Sequence, residues 1–390
     1  MAGRASLERS FKSGVASVLR SLAGSREKPF PASPDVRSIL VVRQHNQLGD
    51  MLCVVPLLRA LRDRFPEARI ALLASPGNRD IMLHNPCLDD VLTYDKTEFL
   101  NGRRLHIVRF MRFVRDLRSQ SFDLAVVPST VSVSFSSDAL AYLSGAPHRV
   151  GAGSLGGQPN PSAFCFTCPR DLDWSGDPHR HQTLRNWDIL GKWLAPPSSL
   201  SHEMGLTASE QEEGRRSVAM SRGNKPLAIA FHPGAGKPPN RWPADRFAAL
   251  ANLLSREYDA MAYVTEGPMD EAEVGSMESL LTVPYQVIRG QPIRRVASIL
   301  SYMDLVVSND TGIMHVAAAT GTPVLSLFGP TDPKQWAPIG DSHRFIVGEG
   351  GQIDRISLES VLEAAREMLT SLRTSSRLKR APGTEGNRTR

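Results

Sequence analysis

Short apolar runs alternate with amphipathic stretches along most of this chain, beginning at Ser38. Runs of five or six apolar residues bounded by turn residues read as buried strands, and recurrence at three and four positions reads as helix. On that basis strands are expected at Ser38 to Arg43, Arg69 to Ala74, Val91 to Tyr94, Asp123 to Val127 and Arg149 to Val150. Helices are expected between them at Met51 to Arg64, Leu105 to Leu117 and Asp138 to Leu143. Residues 151 to 178 are rich in Gly and Pro and poorly periodic. A helix at Gln182 to Leu194 and a candidate hinge at Ala195 to Ser201 follow. The alternation then restarts, with strands at Leu227 to Phe231, Met261 to Thr265, Tyr285 to Ile288, Leu305 to Val307 and Val324 to Phe328. Helices at Ala244 to Glu257, Ile293 to Leu300 and Met314 to Ala319 separate them. Two βαβ series predict an α/β chain of two doubly wound halves, each a mainly parallel sheet with helices on both faces.

Length and composition agree, since 390 residues with 41% hydrophobic and 22% charged suit two globular domains. No apolar stretch approaches the roughly 20 residues of a membrane-spanning helix, and no apolar block of secretory length follows the basic N-terminus. A cytoplasmic chain is expected. Four cysteines are too few for a disulfide framework, and Cys165-x-x-Cys168 lacks the second pair that a zinc site needs. The net charge of +6 is uneven: residues 1 to 30 carry +4 and residues 371 to 390 carry +5, leaving −3 between them. A mildly acidic core argues against a nucleic-acid groove. Leu7, Phe11, Val15, Val18, Leu19 and Leu22 recur at helical spacing among basic residues, as in a surface-binding or packed amphipathic helix.

Ligands in doubly wound sheets bind beyond the carboxyl ends of the strands, which singles out three loops. Arg43 to Asp50 leads into the first helix, where Asp50 is either a helix cap or a general base. His232-Pro-Gly234-Ala235-Gly236-Lys237, followed by Arg241, combines glycines with positive charge and suits a diphosphate. Asn309-Asp310-Thr311-Gly312-Ile-Met-His315 opens a helix, whose free amides attract anions, while Asp310 can hold sugar hydroxyls. The alternatives for the last loop are a helix cap and a core histidine. No Gly-x-Gly-x-x-Gly and no Walker loop follows the first strand, so dehydrogenase and P-loop readings both fall.

Together these loops resemble glycosyltransferase family 9, the bacterial lipopolysaccharide heptosyltransferases. The likeness runs roughly from residue 37 to 345 and rests on Leu48-Gly-Asp50, His232-Pro-Gly-Ala-Gly with Arg241-Trp-Pro243, Asn309-Asp-Thr-Gly-Ile-Met-His315, and Leu327-Phe-Gly-Pro-Thr331. It implies a GT-B fold, with two Rossmann-like domains facing a central cleft. It further implies an ADP-heptose-like donor, a lipid-linked saccharide acceptor, inversion at the anomeric carbon and no metal or other cofactor. In that reading Asp50 is the base, and Asp310, Thr311, Gly312 and His315 hold donor sugar and diphosphate. Glu266, Asp270 or Glu271, after the strand ending at Thr265, is a candidate for the donor ribose. One departure stands out, Asn240 where the family places a lysine, for which Lys237 or Arg241 are the candidate substitutes. A nucleotide-sugar binder without turnover is the alternative that this leaves.

The expected organisation is therefore a basic extension and linker over 1–36, an acceptor-side domain over 37–195, a nucleotide-sugar domain over 203–372 and a basic disordered tail over 373–390. A lipid-linked acceptor would suit attachment of residues 4 to 22 and 373 to 380 to an anionic membrane surface.

Overall fold

The computed structural model describes residues 27–32, 35–44, 47–101 and 104–380. The expected amphipathic helix and membrane contact at residues 4 to 22 lie outside the described residues, as do 381–390. The chain divides into two compact units, residues 1–207 with 334–339, and residues 208–333 with 340–390.

The first unit is built on strands β1 (Ser38–Arg43), β2 (Arg69–Ala74) and β3 (Asp90–Thr93). A two-residue hairpin, β4 (Leu100–Asn101) with β5 (Arg104–Leu105), comes next. It is followed by β6 (Leu124–Val126), β7 (His148–Leu155), β8 (Gln158–Pro159) and β9 (Cys168–Leu172). The sheet order is β3-β2-β1-β6-β7, with β9 parallel and β8 antiparallel to β7. In β1, Ile39 to Arg43 are all buried because helices cover both sheet faces, which is why the strand reads as a continuous apolar run. Leu40, Val42, Leu73, Leu117, Phe122 and Leu140 belong to one core cluster on this sheet.

Two expectations are corrected here. The helix expected over Met51 to Arg64 is two helices, Leu48–Leu52 and Val55–Arg64. Pro56 explains the break, since it has no N–H to give and its ring meets the carbonyl four residues back. The Ala195 to Ser201 stretch is not the boundary between the units, because the first unit continues to Thr207. Trp187 donates to the Ala195 carbonyl at 3.1 Å, Arg59 to those of Ser199 and Ser201 at 2.7 and 3.3 Å, and Asn85 to that of Glu203 at 3.0 Å. The Pro/Ser composition marked irregular backbone, but its polar groups are satisfied by the same domain.

The second unit holds β10 (Leu227–His232), β11 (Ala260–Glu266), β12 (Tyr285–Arg289), β13 (Leu305–Asn309), β14 (Val324–Phe328) and β15 (Arg344–Val347). All neighbours are parallel, in the order β12-β11-β10-β13-β14-β15. Trp242 is buried in this unit's core, with its ring 5.0 Å from Phe247 at 79° and its indole N–H donating to the Ile356 carbonyl at 2.9 Å. An edge-to-face pair with its polar atom satisfied brings large apolar burial at no hydrogen-bond cost. The closing helix, Leu358–Arg380, packs Val361, Ala365, Met368 and Leu369 against the same core. Residues 373–380 are thus helical, where a disordered tail was expected. No described helix is long and apolar enough to cross a membrane.

Both sheets run outward in opposite directions from a central pair, β1/β6 in one and β10/β13 in the other. Ligands of doubly wound sheets collect at that switch point, beyond the strand carboxyl ends.

Candidate functional site

At the switch point of the first unit, Asp50 sits inside the short helix Leu48–Leu52 and is only 6% exposed. It does not cap that helix: Gln47 is the N-cap residue and no side chain accepts there. Arg43, the last residue of β1, lies fully buried beneath it. Its guanidinium donates to the Pro128 carbonyl at 2.6 Å, across the β1/β6 gap, and to Asp50 Oδ1 at 3.4 Å. Burial raises the Asp50 pKa above the usual carboxylate range and the Arg43 charge opposes that rise. The result is a carboxylate more basic than a solvated one, with one fixed cation beside it.

The same unit holds a carboxylate that no sequence pattern indicated. Asp138, in the first turn of the helix Phe135–Leu143, is almost wholly buried and has no cationic partner among the described residues. Its Oδ2 accepts from Ser162 Oγ at 2.5 Å and Asn160 Nδ2 at 3.0 Å, while Oδ1 has no partner there. Burial pushes its pKa up to about 6. Between the ordinary value of 3.8 and 6 the folded protein keeps a proton that the unfolded chain has released. Stability therefore falls as pH rises through that window, by about 3 kcal/mol in all. Replacing Asp138 by Asn removes the titration, so the unfolding free energy of the variant relative to wild type is expected to rise by about that amount from pH 4 to pH 7. Denaturant titrations at both pH values measure it, and an unchanged difference would refute the assignment.

At the switch point of the second unit three loops meet. Asn309 ties two of them, donating to the carbonyls of Pro233 and Gly234 at 2.8 and 3.2 Å and accepting from Trp242 N at 3.1 Å. His232 is buried, its Nδ1 2.9 Å from Thr265 Oγ1 and its Nε2 3.8 Å from Asp270. Burial lowers its pKa, so it is neutral near pH 7 and serves as a brace under the loop. Asp270 accepts from Gly267 N at 2.8 Å and lies against the α-carbon of Gly234. Gly234 and Ala235 are buried, whereas Gly236 and Lys237 are exposed.

Asp310 follows β13 and is half-buried, as are Thr311 and Gly312. Burial raises the Asp310 pKa, against the opposing effects of the Thr331 hydroxyl and the Lys237 charge. Thr311 is the N-cap of the helix Gly312–Ala319, yet it makes no side-chain cap and its Oγ1 has no partner among the described residues. Open amides and an uncommitted hydroxyl at a helix start suit an anionic ligand. His315 is buried one turn in. Asn240 Nδ2 lies 3.3 Å from both Asp310 Oδ2 and Thr331 Oγ1, so the residue standing where lysine was expected links the Asp310 loop to the segment after β14.

Two expected ligand contacts are otherwise engaged. The Arg241 guanidinium pairs with Glu273 and donates to the Ala235 carbonyl at 2.9 Å, so it fastens the loop and does not point free charge at a phosphate. Glu266 pairs with Arg289 at 2.7 Å. Of the two substitutes considered for the missing lysine, Lys237 alone is left without such a tie among the described residues. Cys165 and Cys168 are both buried free thiols, and burial pushes the Cys165 pKa to about 12.

Comparison with known proteins accords with this arrangement. Residues 110–363 match the family model described as glycosyltransferase family 9 (heptosyltransferase), a span that includes the three loops of the second unit and begins after Asp50. Among curated proteins, lipopolysaccharide heptosyltransferase 2 of Escherichia coli K12 is 25% identical over 330 residues, covering 77% of this chain and 85% of that protein. Its counterpart in Salmonella typhimurium LT2 is 26% identical with the same coverage. Among solved structures, a family 9 glycosyl transferase from Veillonella parvula superposes with a TM-score of 0.75 at 22% identity, over 87% of this chain and 99% of that one. The E. coli ADP-heptose LPS heptosyltransferase II gives a TM-score of 0.69 at 22% identity, over 86% and 99%. The fold is GT-B, and with well over half of its length matched by the family model, the chain belongs to glycosyltransferase family 9, the heptosyltransferases.

Proposed function

We propose that this protein is an inverting heptosyltransferase that moves heptose, or a related sugar, from an ADP-sugar to a hydroxyl of a lipopolysaccharide-type glycolipid. The carrying observation is the pairing of chemistries at the two switch points: a buried carboxylate made basic on the first sheet, and an uncapped helix start beside Asp310 on the second. The first unit is the acceptor side and the second the donor side. Asp50 takes the proton of the acceptor hydroxyl, whose oxygen bonds the anomeric carbon as the bond to the diphosphate oxygen breaks. Attack opposite the leaving ADP inverts the configuration. Asp310 orients sugar hydroxyls, with Asn240 and Thr331 setting its position. The amides of Thr311 and Gly312, the Thr311 hydroxyl and Lys237 receive the charge developing on ADP, the role that a metal ion has in other transferases.

The choice of ADP-heptose draws on the relatives, since an E. coli heptosyltransferase was solved with ADP-2-deoxy-2-fluoro heptose. Calorimetry with ADP-heptose, UDP-glucose and GDP-mannose tests it. ADP-heptose is expected to bind in the micromolar range common for enzyme substrates, and Asp310→Ala to weaken that binding at least about tenfold. Binding of another nucleotide sugar in its place would overturn the donor assignment, and equal binding by the variant would overturn the role of Asp310.

A further inference from the structure

The helix Ile107–Ser119 presents two unlike faces. Phe110, Phe113, Val114 and Leu117 turn inward at helical spacing. Phe113 meets Tyr94 and Phe99 at ring distances of 5.3 and 5.5 Å, and Phe110 meets Phe99 at 5.8 Å. That leaves Ile107, Val108 and Met111 outside, exposed by 60%, 74% and 60%. Nowhere else among the described residues do three large exposed hydrophobics fall within five positions.

Charge on this helix is one-sided, with Arg109, Arg112, Arg115 and Arg118 against Asp116 alone. Arg115 pairs with Asp116, and Arg118 donates to the Leu143 carbonyl. Arg109 and Arg112 are exposed and have no partner among the described residues. Apolar side chains standing among uncommitted arginines match a surface that is apolar below and anionic above.

Topology decides which way this face points. In the chain the helix lies between β3 and β6, two parallel strands of one sheet with β2 and β1 between them, so it runs back from their carboxyl ends toward their amino ends. Its first turns, which hold Ile107, Val108 and Met111, therefore lie at the carboxyl edge, and Tyr94, the residue directly after β3, packs beneath Phe113 there. Asp50 stands at the same edge of the same sheet.

From this placement we infer that the opening turns of the helix Ile107–Ser119 dock on an anionic lipid surface and bring the carboxyl edge carrying Asp50 to it. The inference rests on the glycolipid acceptor proposed above for its purpose, and its test does not. It is also separate from the terminal segments, because the residues concerned belong to the folded first unit.

Full-length protein is mixed with phosphatidylglycerol-containing vesicles or with pure phosphatidylcholine vesicles and sedimented. The wild type is expected to partition to the anionic vesicles. The triple variant Ile107→Ser, Val108→Ser, Met111→Ser and the pair Arg109→Ala, Arg112→Ala are each expected to lose about tenfold in partition, with ADP-heptose affinity unchanged. Wild-type partition retained by the triple variant would overturn the inference and assign binding to the chain ends. So would a wild type that ignores anionic vesicles. So would a dimer of the wild type that the triple variant dissolves in sedimentation velocity, since the face would then be covered by a second copy. Loss of donor binding by every protein, wild type included, would count against the proposed function and leave the docking result standing.

Discussion

Asp50→Asn is expected to lower kcat for heptosyl transfer by about 10²- to 10⁴-fold, the range that a positioned general base supplies. Donor affinity should stay within about twofold, because the loops proposed to bind the donor belong to the second unit. The substitution keeps an oxygen for Arg43 and removes the charge, so the whole loss falls on proton transfer from the acceptor. It also leaves the buried Arg43 guanidinium without its counter-ion, which costs stability of about 3 kcal/mol or more. Rates are therefore compared well below the unfolding midpoint of the variant. The pH profile separates the two effects. In the wild type, kcat/KM should fall on the acid side with an apparent pKa above 3.8, since burial outweighs Arg43 in setting Asp50. In the variant that limb should vanish. A variant with the same limb and a mere fewfold slower turnover would remove Asp50 from the chemistry.

The second large effect contrasts two glycines two positions apart in the same loop. A β-carbon on Gly234 would fall 2.1 Å from the Asp270 carboxylate, which is buried and anchored on Gly267 N. One or the other must move, and overpacking of this kind costs about 1–3 kcal/mol. The shift also disturbs the carbonyl that Asn309 holds. Gly234→Ala is thus expected to lower the unfolding free energy by about 2 kcal/mol and to weaken donor binding together with it. At Gly236 a β-carbon meets nothing within 4 Å, so Gly236→Ala should leave stability within about 0.5 kcal/mol. If the donor diphosphate approaches this backbone, Gly236→Ala weakens donor binding with no loss of stability. Thermal unfolding and calorimetry on both variants read the contrast, and equal stability loss at the two positions would contradict the packing argument.

Much of the fold was legible because buried parallel strands are short apolar runs whatever surrounds them. Ser38–Arg43, Arg69–Ala74 and Val324–Phe328 coincide with the strands expected from sequence. Edge strand β15 was not legible, since its Arg-Phe-Ile-Val sequence is mostly exposed and lacks the buried signature. The loops of the site were legible as strand-end segments, but which charges are already spent was not. Arg241 and Glu266 read as ligand contacts because their partners, Glu273 and Arg289, lie 32 and 23 residues away. Asp138 was invisible for the same reason: its burial depends on Asn160 and Ser162, in a stretch without periodicity. Arg43 is the contrary case, because a charged residue ending an apolar strand seven positions before Asp50 was visible and only its partnership was not.

Residues 334–339 have a consequence for anyone exchanging halves between members of this family. They belong to the first unit although the second unit surrounds them in sequence. The buried His181 has its Nε2 2.9 Å from the Ala337 carbonyl, and Gln335 bonds both the Gln182 side chain and the Pro178 carbonyl. A chimera joined at residue 207 would take these six residues from the wrong parent, so a functional graft needs three junctions, one after 207 and one on either side of 334–339. Modularity in this protein is spatial, and the gene does not divide where the molecule does.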